Sequence, residues 1–523
     1  MKKLVSLVLA LAMLLSMAVV ASAETASPFT AENPGKLTVA VYDRSNTTDE
    51  YGTVTDNYWT NWVAEQMMAQ YNIEVEYVAV PRSGAETTFN TMLAGGTAPD
   101  IIFYYSTDRV FDFANQGGLA DLTADIETYG ADITALAGHL MDYAKFDGMQ
   151  VAVPAVRGGL GHLCSMIRKD WLDKINYELK VDEDGVGYIS YTDLEYILTE
   201  WKKQGIAEYP MALGSSSSSE AESLSPFYMA FVDHANLTEE HQATLPTAMW
   251  PGVQDGFAWL NKLYNAGLIQ PDWAQYTDET QYNNWIANGD VGVWAHAYWQ
   301  NLSETGAIGT LMTTNPEAEV VPFCLTNDEG TPALIDQYAP YGMFIVVPAY
   351  SEHVTEAVIF LNWQSKYENY ETLAFGFEGE HYTRNEDGTY NTITKEQNPD
   401  QKLRTTCGDM VLVSNGNPNK EIYEASLIGK TWPEWLQKAY WSAYKASMVK
   451  TYIPFLFDTV IVSSGEYATA LNEKLQELRV KTITGAEADF EATWNTIVDE
   501  YKAMGGQTVI DEKVAAYAAM QAK

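Results

Sequence analysis

Aromatic rings beside charged or hydroxyl-bearing groups recur where predicted strands end. Tyr42, Asp43 and Arg44 follow one strand, Tyr104, Tyr105 and Ser106 another, and Arg157 a third. Trp294, His296, Tyr298 and Trp299 close a fourth, Tyr338 and Tyr341 flank a fifth, and Trp59 precedes Trp62 where a helix begins. These residue types suit recognition rather than bond breaking. Flat apolar faces stack on a ligand, while Asp, Asn and Arg make charge-assisted hydrogen bonds to its hydroxyls. The chain also carries 33 Tyr and 15 Trp against 17 Phe, although Phe fills a core without a polar group to satisfy. That excess predicts aromatics on half-wet surfaces, and sugars offer the matching mixture of C–H patches and hydroxyls. Truncating Trp294 to alanine is expected to weaken binding and leave the fold intact. His381 follows Glu378 and Glu380, where hairpin support and ligand contact both stand open.

Other chemistries lack their residues. Gly429-Lys430-Thr431 looks like the end of a phosphate loop, but Glu424 occupies the place of its first glycine and no apolar strand precedes it. Gly159-Leu160-Gly161 lacks the third glycine of a dinucleotide loop, which is Cys164. No G-x-S-x-G elbow and no H-E-x-x-H helix occurs. Three scattered cysteines, Cys164, Cys324 and Cys407, and seven His without a CxxC pair predict no zinc, no other cofactor and no disulfide. Asp182, Asp184 and Asp193 have partial calcium-loop spacing with Gly187 in the turn, but Val186 offers no side-chain oxygen at the fifth position. The competing reading is a turn at Asp184-Gly185 before a helix capped by Thr192 and Glu195.

The elements that must position these residues follow from periodicity. Lys36 to Tyr42 and Ile73 to Val80 read as strands, with a helix from Trp62 to Tyr71 between them. Phe89, Met92 and Leu93 end a further helix, Gly95 and Gly96 stop it, and Ile101 to Tyr105 reads as a buried parallel strand. This βαβαβ order predicts a doubly wound α/β sheet, in which ligands bind beyond the carboxyl ends of the strands. Ser215 to Ser219 reads as a flexible loop. Lys2 and Lys3, an apolar run from Leu4 to about Val20, and Ala21-Ser22-Ala23 form a signal peptide cleaved after Ala23. No cysteine follows the run for lipid attachment, so the protein is expected in the periplasm or at the cell surface. Losing Lys2 and Lys3 and no acid moves the formal charge from −39 to −41, which repels nucleic acid and anionic membranes. The same field makes a neutral saccharide a more natural ligand than an acidic one.

Five motifs resemble one family. They are Phe89 to Ile101 with its Leu-Ala-Gly-Gly and Ala-Pro-Asp-Ile, Cys164 to Leu172 (CSMIRKDWL), and the Gly289, Gly292, Trp294 strand. Phe375 to Tyr382 (FGFEGEHY) with Asp387-Gly388, and Gly505-Gly506 with Val509-Ile510-Asp511-Glu512 and Tyr517, complete the set. The chain thereby resembles the extracellular solute-binding proteins of ABC importers, in the long branch that carries sugars and oligosaccharides. The resemblance implies a periplasmic-binding-protein type II fold. One α/β lobe would hold residues 36–152 and 338–430, and the other 153–337 and 431–523. Chain crossings near 152–158, 322–338 and 425–450 would form the hinge. It also implies a monomer that closes on a carbohydrate and docks on the membrane permease of an ABC importer, with no catalysis. A secreted glycosidase, with two carboxylates roughly 5–9.5 Å apart, is the rival class. A ligand sensor or adhesin on the same fold is the third.

Overall fold

Alternation in KLTVAVY and IEVEYVAV gives two strands that pair as the periodicity predicts. Gly35–Asp43 runs parallel to Ile73–Pro81, from Gly35 opposite Ile73 to Asp43 opposite Pro81. A parallel pair needs a crossover, supplied by the helix Tyr58–Tyr71. It starts at Tyr58 rather than Trp62 because Asn57 caps it, accepting the backbone N–H groups of Trp59 and Thr60. The computed structural model describes residues 25–214, 219–276, 278–302, 306–386, 388–427, 434–457 and 459–522. Residues 1–24, where a signal peptide is expected, Ser215 to Ser218, Asp387 and Gly429-Lys430-Thr431 lie outside the described residues.

Two compact units emerge. The first holds the described residues through Val156, with Tyr341–Thr383 and Thr392–Pro418; the second holds Arg157–Pro340, Arg384–Asn391 and Asn419 onward. In the first unit, a sheet is ordered Ser414–Asn415, Val153–Arg157 (the last residue counting with the second unit), Tyr341–Val346 and Ile102–Tyr104. The strand after the Gly-Gly stop is short, and its parallel character is confined to one bridge between Ile101 and Val39. Its regular ladder is antiparallel, with Tyr104 opposite Phe344. Asp100 of the Ala-Pro-Asp-Ile motif holds this corner together. Its carboxylate accepts the Thr38 backbone N–H at 2.8 Å, the Thr38 hydroxyl at 2.7 Å and the Ser351 hydroxyl at 2.6 Å.

The second unit is built on a five-stranded sheet ordered Val293–Ala297, Leu163–Arg168, Val320–Thr326, Gly187–Ser190 and Lys180–Val181. Arg168, from the second motif, is 1% exposed and meets Asp170 through two hydrogen bonds of 2.7 Å. Its guanidinium lies 4.7 Å from the centre of the Trp171 ring. Gly289, at φ +74°, ends the helix Thr280–Asn288. A Cβ on Gly292 would fall 2.4 Å from Trp201 and 2.6 Å from Trp171, so only glycine lets the next strand pass.

The Asp182 segment is the predicted turn, with Gly185 at φ +80°. Asp182 accepts the backbone N–H groups of Asp184 and Val186 and the Tyr188 hydroxyl. The next helix, Tyr191–Lys203, is capped by Ser190 rather than by the predicted Thr192 box, whose hydroxyl bonds Asp328. Among the described residues, no group of three or more His, Cys, Asp or Glu side chains is placed to hold a metal ion. The three cysteines are buried thiols, and burial pushes Cys324 and Cys407 up to about 12. No helix of the described residues is long and apolar enough to cross a membrane.

The terminal motif also has a structural task. Glu512 accepts the backbone N–H groups of Val462 and Ser463, each at 2.9 Å, and the Ser463 hydroxyl. It thus places a carboxylate at the N-terminus of the helix Val462–Thr484. Partial burial raises this carboxyl's affinity for a proton, but the Ser463 hydroxyl and the two N–H groups outweigh it and hold the pKa below the usual range. A depressed carboxylate stabilises above its unfolded pKa, about 4.3, and the contribution is lost as pH falls through the folded value. Glu512→Gln is expected to cost about 1 kcal/mol at neutral pH, the typical value of a helix cap. The gap between the two proteins in urea unfolding should shrink below about pH 4. A gap that is constant from neutral to acid pH contradicts this role.

Candidate functional site

In the first unit, the carboxyl ends of the two parallel strands bring Tyr42, Asp43 and Arg44 beside Arg82. The Arg82 backbone N–H donates to the Asp43 carbonyl at 2.9 Å. The Arg82 guanidinium lies 4.8 Å from the Tyr42 ring centre and 5.8 Å from that of Tyr105. Arg44 forms a bidentate pair with Asp409 at 2.7 and 2.8 Å. The Asp43 carboxylate accepts the Ser45 N–H and shapes the turn. Tyr42 is buried edge-on against Phe103; burial first, then Tyr105, push its phenol pKa up. Tyr105 is 50% exposed. Sequence reading missed Arg82, and the signal was available: it follows the strand paired with the one that Arg44 follows.

Other predicted residues of this unit are occupied by packing. Trp59 is buried, donates from its indole N–H to the Leu403 carbonyl at 2.7 Å and stacks on Phe377. Tyr104 packs on Phe89 and donates to Asn90 at 3.2 Å. The Ser106 hydroxyl caps the helix Thr107–Asn115. Tyr341 is buried between Tyr143 and Phe344. His381 is likewise structural: its Nδ1 accepts the Phe377 N–H, and its Nε2 lies 2.9 Å from the Lys402 carbonyl.

In the second unit, strand register sets the geometry. Trp294 stands opposite Met166 and His296 opposite Cys164, so the two share one face of the strand Val293–Ala297. His296 is buried, and the Ala297 N–H donates to its Nδ1 at 2.7 Å. That bond leaves the ring hydrogen on Nε2, which lies 3.3 Å from a Glu279 carboxylate oxygen. Gln300 donates to the other oxygen at 3.3 Å. A cavity of about 530 Å³ opens here, lined by Glu279, Asn283, Trp294, His296, Trp299 and Thr310 among others. Trp294 is 0% exposed, and its indole N–H has no hydrogen-bond partner among the described residues.

Beside the cavity runs an aromatic ladder. Trp299 stacks on Tyr338 with ring centres 5.7 Å apart and planes at 24°. His162 lies 4.3 Å from Tyr338 and 6.0 Å from Trp299, and the Arg157 guanidinium sits 4.2 Å from the Tyr338 ring centre. Tyr298 packs edge-on against Trp299 and joins a phenol cluster, sharing a 2.9 Å hydrogen bond with Tyr423 and packing on Tyr440 and Tyr444. Burial, then Tyr423, hold its phenol protonated. The structure therefore gathers Arg157, Trp294, His296, Trp299 and Tyr338 and adds Glu279, Gln300 and His162. Glu279 escaped sequence reading because acids are too numerous for one to stand out.

The bacterial extracellular solute-binding protein family matches residues 51–371. An uncharacterised protein of the butB 5′ region of Niallia circulans is 28% identical over 140 residues, 27% of this chain and 53% of that protein, so the chain spans about half the length of this curated relative. An HMO-binding, ABC-transporter-associated solute-binding protein from Bifidobacterium longum infantis is similar in structure, with a TM-score of 0.64 and 14% identity over 92% of this chain and 98% of that one. The alginate-binding protein AlgQ2, solved without calcium ion, gives a TM-score of 0.62 and 16% identity over 94% of this chain and 100% of that one. These likenesses extend over the two-lobed α/β fold, and the family match covers most of the chain. The protein belongs to the bacterial extracellular solute-binding protein family.

Proposed function

We propose that this protein captures a carbohydrate, an oligosaccharide, outside the cytoplasm and delivers it as a monomer to the permease of an ABC importer. The observation that carries the reading is the Trp299–Tyr338–His162 ladder beside a polar cavity. Aromatic faces take up the C–H face of a sugar ring, and Glu279, Asn283 and Gln300 meet its hydroxyls. The names of the similar structures support it, since one binds HMO and another alginate. Ligand contacts are assigned to Arg157, His296, Trp299 and Tyr338 around the cavity of the second unit; Arg44, Arg82 and Tyr105 at the strand ends of the first unit are separate candidates.

No catalysis is part of this reading. Glu279 is the one carboxylate among the described cavity-lining residues, whereas glycoside hydrolysis uses a pair. A thermal-shift screen of the mature protein against an oligosaccharide panel is expected to raise the midpoint with at least one saccharide. A hundredfold excess over Kd contributes about 2.7 kcal/mol. A rise with a peptide or amino acid and none with any sugar sinks the carbohydrate assignment, and product sugars seen by mass spectrometry sink the binder-only one.

Residues 1–23 are proposed to direct export and to be removed. Protein recovered from the secreting cell should begin at Glu24, and a retained Met1 would refute the cleavage.

The two cavity tryptophans should separate in their effects. Trp299 is half-buried and exposes part of its ring, so Trp299→Ala is expected to weaken binding at least tenfold with a nearly unchanged melting point. Trp294 is wholly buried, which corrects the expectation that its truncation spares the fold. Trp294→Ala should cost about 3–5 kcal/mol of stability, measured by urea unfolding. Equal stability of the two variants would contradict this assignment.

A further inference from the structure

We infer that the cavity beside Trp294 and Trp299 is a saccharide subsite read by the Glu279 carboxylate, and that it accepts neutral sugars and rejects acidic ones. This rests on the carbohydrate reading above. The cavity's volume, about 530 Å³, falls within the range of small-molecule sites.

Glu279 is held in place before any ligand arrives. One oxygen faces His296 Nε2 and the other accepts from Gln300, each at 3.3 Å. A carboxylate oxygen accepts more than one hydrogen bond, so both retain capacity for a ligand. Two vicinal hydroxyls of a pyranose can donate to the two oxygens at once, the arrangement that makes carboxylates strong acceptors.

The local charge stays negative. His296 accepts the Ala297 N–H at Nδ1. Its Nε2 faces the Glu279 carboxylate at 3.3 Å. Among the described lining residues there is no Lys or Arg; Asn283, Asn284, Gln300 and Thr310 are uncharged. Arg157 lies over Tyr338 and is not in this lining. A sugar carboxylate entering the cavity would face Glu279 at a few ångströms without a cation, and at a partly shielded site that repulsion is worth about a hundredfold in affinity. The Trp294 indole N–H is buried behind the cavity wall and has no hydrogen-bond partner among the described residues.

The test is calorimetric titration of the mature protein with neutral oligosaccharides (lactose, maltotriose, xylotriose, lacto-N-tetraose) and acidic ones (sialyllactose, oligogalacturonate). A neutral saccharide should bind, and its acidic counterpart should be about a hundredfold weaker. Glu279→Gln preserves shape while removing charge. It should weaken the neutral ligand about tenfold and strengthen the acidic one, an opposition in sign that loss of structure does not produce. Gln300→Lys, at an exposed position, places a cation beside Glu279 and should raise acidic binding if the first variant folds poorly. Acidic sugars binding as tightly as neutral ones, or a preference ratio unmoved in both variants, overturns the inference and leaves the carbohydrate reading standing. Absence of binding by every saccharide overturns both.

Discussion

A full positive charge at 1% exposure is the constraint on which the second unit turns. Arg168 is tolerated only because Asp170 meets it through two parallel hydrogen bonds of 2.7 Å. Losing one partner of such a buried pair typically costs about 3–5 kcal/mol, because the remaining charge has no solvent. The pair also fixes geometry. The Arg168 backbone N–H donates to the Gly292 carbonyl, the Lys169 N–H donates to the Glu319 carbonyl, and Asp170 accepts the Glu319 N–H. Three strands are thereby registered at one point. From it, the strand Val293–Ala297 runs out to deliver Trp294 and His296 to the cavity. The glycines upstream make the approach possible, since a side chain on Gly292 would collide with Trp171 and Trp201.

Much of the frame was legible in the amino-acid order because its devices are local. The parallel pair, its crossover helix and the Gly-Gly stop each follow from spacing within a dozen or so residues. The motifs were legible as motifs, but their tasks were not. Asp100 ties Thr38 to Ser351, His381 ties Phe377 to Lys402, and Glu512 caps the helix at Val462. Each of these partners is remote or lies across a turn, so only the fold reveals it. The site was half legible for the same reason. Arg82 reaches Tyr42 through strand pairing, and Glu279 reaches His296 across a helix and a strand.

The aromatic excess divides between two uses rather than one. Among the exposed large apolar side chains of the described residues there are several tyrosines and no tryptophan. Many tyrosines are buried instead, with the hydroxyl spent on a protein acceptor: Tyr282 on the Ala295 carbonyl, Tyr104 on Asn90, Tyr298 shared with Tyr423. Composition therefore overstated the half-wet surface. A buried tyrosine with its own acceptor is as well satisfied as one facing a ligand, and residue type does not separate the two.

The division of labour between Asp170 and Glu279 has an evolutionary consequence. Most residues that make this chain recognisable hold strands in register, whereas the polar residues Asn283 and Gln300 at the cavity wall carry no strand. Asn283 and Gln300 can be exchanged without disturbing the ion pair or the glycine passage behind them. Lineages built on this frame are thus free to change cargo at small cost in stability, and kinship read from the motifs reports a shared chassis, not a shared diet.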